Sequence, residues 1–131
     1  MIKRAHISPE SRDSFTITNL QASSIVDRVF GIVPVRCELI SAREVHTTAA
    51  GQTCTGAIER LQGTEASGSG DQCATGFDLE GTASTVQKAT VVTASDINVF
   101  EAGDRVGFNG TGTSTSLVNM LITCEFRPID G

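Results

Sequence analysis

The C-terminal part of the chain alternates apolar and polar positions with a period of two. Five apolar residues share one parity: Val118, Met120, Ile122, Cys124 and Phe126. Because successive side chains of a strand point to opposite faces of a sheet, this pattern predicts a long, half-buried strand. Upstream, residues 101–104 (Glu-Ala-Gly-Asp) offer turn chemistry between the apolar runs 97–99 and 106–108. We therefore expect two strands around a tight turn and then a closing strand, as at the end of an antiparallel sheet.

The same alternation, read upstream, predicts a strand over residues 33–46 and another over 53–61. The first has inward-facing apolar positions at Val33, Val35, Cys37, Leu39 and Val45. Its opposite parity carries Arg36, Glu38, Glu44 and His46, with Ile40 as the exception. In the second, Cys54 and Ile58 point inward and Glu59 points outward. The loop 62–72 separates these strands from shorter ones at 73–79 and 88–93, with the connection 80–87 between them.

Several short strands at roughly ten-residue spacing are typical of a β-sandwich or barrel. We expect an all-β, antiparallel sandwich over residues 29–131, preceded by an extended N-terminal arm over 1–28 that has room for one edge strand at 15–18. The arm is either ordered by a partner or a frayed terminus, and the sequence leaves both open. The predicted core comprises Val35, Cys37, Leu39, Ile58, Val106, Phe108, Met120, Ile122 and Phe126.

Composition and charge narrow the function classes. Hydrophobic residues make up 39% of the chain and charged residues 19%, which is the balance of a globular protein and not of a disordered one. The net charge of −5 argues against binding to nucleic acid, because that affinity comes mainly from Lys and Arg. No apolar run approaches the length of a membrane span, and no apolar stretch follows the basic residues at the N-terminus. We expect a soluble chain made in a cytosol.

The sequence offers no recognisable catalytic, cofactor or metal motif. The cysteines at 37, 54, 73 and 124 form no Cys-x-x-Cys pair, and neither His6 nor His46 adjoins them. Free thiols at core positions are the expectation, although a disulfide between two strands stays open. His46 falls on the polar face of its strand, so we expect an exposed or interface histidine. No enzymatic activity, bound cofactor or metal is expected.

Four segments carry a resemblance to a known family: Val45-His46-Thr47-Thr48-Ala49, residues 58–64 (Ile-Glu-Arg-Leu-Gln-Gly-Thr), residues 77–87 (Phe-Asp-Leu-Glu-Gly-Thr-Ala-Ser-Thr-Val-Gln) and residues 102–108 (Ala-Gly-Asp-Arg-Val-Gly-Phe). Together they resemble small jelly-roll head proteins of tailed bacteriophages, of the decoration or cement type, over residues 33–127. The resemblance implies a virion protein on the outer surface of a capsid, made in the host bacterial cytoplasm. It also implies contacts with the major capsid protein and a closed homo-oligomer, of which a trimer is favoured.

The N-terminal arm lies outside the resemblance, and its basic residues are the candidates for contact with the shell: Lys3, Arg4 and Arg12. Alternatively, these three residues face solvent and contact no partner. A second function remains open for the whole chain, namely a receptor- or glycan-binding domain of a phage fibre or spike, because one fold serves many functions. The absence of Trp and Tyr argues against it, since sugar sites use aromatic faces.

Overall fold

Two antiparallel sheets enclose a common apolar core in the computed structural model, which describes residues 14–21 and 27–130. The described strands are, in chain order, β1 (Phe15–Gln21), β2 (Arg28–Ile32), β3 (Cys37–Thr48), β4 (Cys54–Leu61), β5 (Asp71–Asp78), β6 (Gln87–Lys88), β7 (Thr90–Val91), β8 (Val99–Phe100), β9 (Arg105–Gly112) and β10 (Val118–Pro128). The first sheet has the order β1-β10-β3-β6, and β8 also pairs with β3. The second sheet has the order β2-β9-β4-β5-β7. The predicted all-β, jelly-roll-like sandwich is confirmed.

The predicted parity of β10 is confirmed from Met120 to Phe126 but is wrong at Val118, which pairs with Thr48 and is 38% exposed. Met120, Ile122, Cys124 and Phe126 are buried, and the Phe126 ring meets Phe100 edge-on. All the other predicted core residues are buried except Val35, which is 40% exposed. That prediction is wrong because β3 begins only at Cys37. Pro34 cannot donate a ladder hydrogen bond, and the chain turns there between β2 and β3.

A β-bulge in β3 reverses the face on which its later residues lie. Leu39 pairs with Phe126 of β10, whereas Ser41 pairs with the preceding Glu125, so Ile40 has no partner opposite it. One extra residue in a strand flips every following side chain to the other face. Glu44 and His46 therefore point into the sandwich, and their predicted outward positions are wrong. Val45, predicted inward, lies on the outer face opposite Leu121.

The chain crosses repeatedly between the two sheets, and two of these crossings differ from the sequence-based expectation. The predicted strand 88–93 is divided, because β6 pairs with β3 whereas β7 pairs with β5 of the second sheet. The turn at 101–104 is confirmed, since Glu101 N donates to Asp104 Oδ2 at 2.9 Å and Asp104 N to Glu101 O at 2.9 Å. It joins β8 in the first sheet to β9 in the second, however, so it links the sheets and is not the end of one of them.

The residues described within the predicted arm form the edge of the first sheet. β1 pairs with β10 along its whole length, from Phe15 opposite Phe126 to Gln21 opposite Met120. The Phe15 ring stacks on Phe126 with centroids 5.4 Å apart. This is the edge strand for which the arm had room. Residues 1–13, 22–26 and 131 lie outside the described residues, and the arm boundary at residue 28 stays a prediction.

Candidate functional site

A buried polar network lies on the inner side of β3, just beyond the bulge. His46 Nδ1 is 2.8 Å from Glu44 Oε2, and His46 Nε2 is 2.9 Å from the carbonyl oxygen of Gly81. Gln87 Nε2 donates to the second carboxylate oxygen of Glu44 at 2.8 Å. Both members of the Glu44–His46 pair have fully buried side chains. The carbonyl of Gly81 accepts only, so Nε2 carries a proton, and a second proton lies between Nδ1 and Oε2.

The electrostatics of this pair follow from burial and hydrogen bonding. Burial raises the pKa of Glu44, and the bonds from His46 and Gln87 act against that rise. For His46, burial acts to lower the pKa, but the carbonyl of Gly81 and the carboxylate of Glu44 outweigh it, and the pKa is raised. The pair is electrically neutral whichever partner holds the shared proton, which is the form in which such groups are tolerated in a core.

The network fastens the connection between β5 and β6 to the first sheet. Besides the bond from His46 to Gly81, Ser84 N donates to His46 O at 2.7 Å. The side chain of Gln87 bridges the network to β5, because Nε2 donates to Asp78 O at 2.6 Å and Oε1 accepts from Asp78 N at 2.9 Å. Since no solvent reaches the His46 ring, its chemistry here is to position a loop. The prediction of an exposed or interface histidine is wrong.

The outer side of the same strand segment carries a shallow groove. It has a volume of about 260 Å³ and is lined by Arg43, Glu44, Val45, Val86, Leu121 and Thr123. Val86 is 63% exposed, and Leu121 continues the apolar surface to Leu20 of β1, its partner in the ladder. The bulge at Ile40 creates this face, since it turns Arg43 and Val45 outward. The out-of-phase Ile40 was the one signal in the sequence that could have revealed it.

Two cations stand side by side at the rim of this groove. Arg43 on β3 is directly opposite Lys88 on β6. Neither makes an ion pair or a hydrogen bond with any residue that the structure describes. Directly opposed residues of an antiparallel pair have Cβ atoms about 5 Å apart, at which distance like charges repel. The arrangement therefore favours an anionic group from outside the chain.

A second buried carboxylate orders the loop between β4 and β5. Glu59, predicted to point outward, is buried. Its Oε1 accepts from Gly68 N at 2.7 Å and from Ser67 Oγ at 3.2 Å, while Oε2 accepts from Gly70 N at 3.2 Å. The register shift between Ile58 and Glu59 explains why the parity of this strand failed. The predicted loop 62–72 is thus held by hydrogen bonds to a buried carboxylate.

The outer face of the second sheet has a cavity of similar size and different chemistry. Its volume is about 260 Å³, and its lining residues are Thr55, Gly56, Ala57, Gln72, Thr75, Gly76, Asn109 and Thr111. Five of the eight lining residues carry a hydroxyl or amide group, and none is charged or aromatic. Such a surface can exchange hydrogen bonds with another polar surface but offers no stacking platform.

All four cysteines are buried free thiols, as predicted. Burial raises the pKa of Cys37 and of Cys73 to about 12 and raises those of Cys54 and Cys124 as well. Thiols of this kind are poor nucleophiles and poor metal ligands, because both roles need the thiolate.

The predicted shell contacts Lys3, Arg4 and Arg12 lie outside the described residues. Within residues 14–21 and 27–130, no three His, Cys, Asp or Glu side chains gather closely enough to hold a metal ion. The same part of the chain contains no helix long and apolar enough to cross a membrane.

Comparison with known proteins identifies a fold. No family model and no curated protein matches the chain. In a solved structure, the chain is similar to a chain of the capsid of Ralstonia phage GP4, with a TM-score of 0.61. The similarity covers 91% of this chain and 86% of that chain, at 13% sequence identity. At this sequence identity the structural match shows a shared fold only. The shared fold extends over nearly the whole length of both chains.

Proposed function

We propose that this protein is a structural component of a tailed-phage virion, and that it binds the outer surface of the head as a decoration or cement protein. The fold similarity to a phage capsid chain over 91% of the sequence carries the proposal. The resemblance of residues 33–127 to decoration proteins points the same way. The role proposed is mechanical and not enzymatic, and the only histidine among the described residues is sealed in the core.

The proposed mechanism is lattice stabilisation. Each copy makes moderate contacts with neighbouring copies of the major capsid protein, and repetition over the shell turns these contacts into strong retention. Binding to the assembled form alone stabilises that form by mass action. In this scheme residues 1–13 supply extended contacts, with Lys3, Arg4 and Arg12 facing the shell.

A closed homo-oligomer completes the proposal, and a trimer is the form favoured. Strands β1 and β2 stand at the ends of their sheets in the described structure, and such edges invite pairing with another chain. β1 has no charged residue or proline to discourage pairing. Three-fold symmetry would repeat the same contacts on each subunit and would match three-fold positions of an icosahedral lattice.

The second candidate is a receptor- or glycan-binding role on a fibre or spike. The cavity lined by Thr, Gln and Asn on the second sheet favours it, because hydroxyl and amide groups are those that bind sugars. The absence of an aromatic side chain from that cavity counts against it.

Co-sedimentation tests the first proposal. Particles of the phage that encodes the protein are first stripped of the protein. Purified protein is then added back, and the fraction that pellets with the particles is measured as a function of protein concentration. Saturable binding at a fixed number of copies per shell is expected. Failure to pellet with such particles, together with binding to host cells or their surface glycans, would support the second candidate and contradict the first.

A further inference from the structure

The groove on the outer face of the first sheet has the properties of a docking site for an acidic, apolar peptide segment. We define the Arg43 groove as Val45, Val86, Leu121 and Thr123 with Arg43 and Lys88 at its rim. We propose that a segment of the shell protein, carrying a carboxylate beside an apolar side chain, binds in the Arg43 groove. This inference rests on the proposed function and assigns a partner and a contact surface to it.

The charges at the rim lack a counterpart within the described chain. The other basic side chains of the first sheet and its connections are engaged: Arg36 with Glu101, and Arg127 with Glu38. Of the nearby carboxylates, Glu44 is bound to His46 and Gln87 inside the sandwich, and Glu125 accepts from Ser41 Oγ and forms no ion pair with Arg43 among the described residues. A carboxylate brought by a partner would relieve the repulsion between Arg43 and Lys88 and form charge-assisted hydrogen bonds with both.

The apolar floor supplies the rest of the recognition. Val86, at 63% exposure, and Leu121, at 36%, are among the largest exposed apolar side chains of the first sheet and its connections. With Leu20 beside Leu121, they make the apolar surface continuous across β1, β10 and the approach to β6. Exposed apolar patches rimmed by polar residues mark interaction sites.

Hydrogen bonds hold the β6 side of the groove in place before any partner binds. Gln87 lies between Val86 and Lys88 in the chain, and its side chain is held by Glu44 and by both backbone groups of Asp78. The buried Glu44–His46 network, through Gln87, thus positions Val86 and Lys88, the chain neighbours of Gln87 on either side. A site that is already ordered loses less conformational entropy on binding.

A second copy of the chain is a poor occupant if it packs through the same face. If two copies packed face to face through the Arg43 groove, the same patch would lie on both sides of the contact. Arg43 and Lys88 would then face Arg43 and Lys88, and like charges across an interface oppose association. The occupant must therefore bring negative charge, and we assign that role to the shell protein, with which the proposed function already requires a contact.

The two lysines of the chain make the contact directly measurable. Lys3 lies in the proposed arm and Lys88 lies at the Arg43 groove. A carbodiimide joins an amine to a carboxylate without adding a spacer, so it records ion pairs. Intact particles treated this way and analysed by mass spectrometry should give a link from Lys88 to an Asp or Glu of the shell protein. Links from Lys3 alone, or from Lys88 to a second copy, would overturn the inference and leave the virion role intact.

Matched variants test the energetics by co-sedimentation with stripped particles. Arg43→Glu and Val86→Ser should each weaken binding, the first by roughly tenfold and with a reduced salt dependence. Arg105→Glu on β9 and Val35→Ser before β3 are the controls, since they change a cation and an exposed apolar residue that lie outside the groove and outside the edge strands. Circular dichroism and unfolding midpoints confirm that each variant folds.

The outcomes separate cleanly. Weaker binding for both groove variants, with unchanged controls, supports the inference. Weaker particle binding by Arg43→Glu but not by Val86→Ser would indicate a site for free anions. That result would overturn the proposal that a peptide segment binds in the groove. Groove variants that bind like the controls overturn it as well. If the unmodified protein itself fails to bind particles, the proposed function fails, and the inference fails with it.

Discussion

Glu44 and His46 stand two residues apart on β3, and their side chains meet inside the sandwich with Oε2 2.8 Å from Nδ1. Neighbours of one parity on a strand point to the same face, so the pair needs no partner strand to bring it together. What places it in the core is the extra residue Ile40, which reverses the parity of β3. The network that the pair anchors then shapes the outer surface of the same sheet.

The first prediction concerns the stability that the pair provides. His46→Ala should lower the free energy of unfolding by roughly 3 kcal/mol, because it leaves Glu44 and the carbonyl of Gly81 buried without their partner. Glu44→Ala should cost a similar amount. In the double variant the loss should be clearly smaller than the sum of the two, as expected for residues in contact.

Chemical denaturation in urea measures these losses, and Thr48→Ala, an exposed change on the same strand, is the control. Its expected effect is within about 0.5 kcal/mol. Strict additivity of the two single changes would show that Glu44 and His46 do not interact as described.

The second prediction is the pH dependence of stability. The pKa of His46 is raised in the folded protein above its ordinary value of 6.5, so the folded state keeps a proton that the unfolded chain releases. The folded state therefore binds more protons above pH 6.5, and stability should fall as the pH rises through the raised pKa. Below pH 6.5 the contribution of His46 is fully present.

Unfolding midpoints of the wild type and of His46→Gln, compared between pH 6 and pH 8.5, isolate this effect from the second histidine, His6. The wild type should lose more stability over this interval than the variant does. Parallel curves would contradict the raised pKa of His46.

The third prediction concerns the thiols. In native protein the four cysteines should react slowly with an alkylating reagent, because burial keeps them protonated and out of contact with water. Under denaturing, non-reducing conditions all four should be modified at once. Mass measurement counts the labels, and fewer than four in freshly purified protein would indicate a disulfide and contradict this account.

The fourth prediction separates the arm from the sandwich. Removal of residues 1–13 should leave circular dichroism and the unfolding midpoint nearly unchanged but weaken attachment to stripped particles, since Lys3, Arg4 and Arg12 are lost. Removal of residues 1–28 should in addition lower stability, because it strips β1 from β10 and removes the Phe15 ring from Phe126. Undiminished attachment after the shorter deletion would restrict the shell contact to the sandwich.

The sequence predicted the fold best where nothing interrupts the alternation. In β10, apolar residues two apart give both the strand and its buried face, and the turn at 101–104 follows from local chemistry in the same way. Burial of Cys37 and Cys124 followed from their parity with apolar neighbours. These features depend on residues close together in the chain, which a single sequence records.

The misplaced residues depend on contacts that are distant in sequence. Glu59 is buried because backbone donors of residues 68 and 70 reach it, and Glu44 because His46 and Gln87 do. A carboxylate is predicted to face water unless such donors are known, and a bulge is visible only as one residue out of phase. The Arg43 groove could not be predicted because it also depends on contacts distant in sequence. It forms only when the bulge reverses the parity of β3 and the connection before β6 packs against the first sheet.

The position of the protein in the particle tests the central claim most directly. Electron cryomicroscopy of intact particles at a resolution that shows strands should reveal the two-sheet sandwich on the outer surface of the head, at positions repeated by the icosahedral lattice. The Arg43 groove should face the shell protein. Density for the sandwich at a fibre or spike tip, or its absence from purified particles in which every capsid chain is accounted for, would contradict the account.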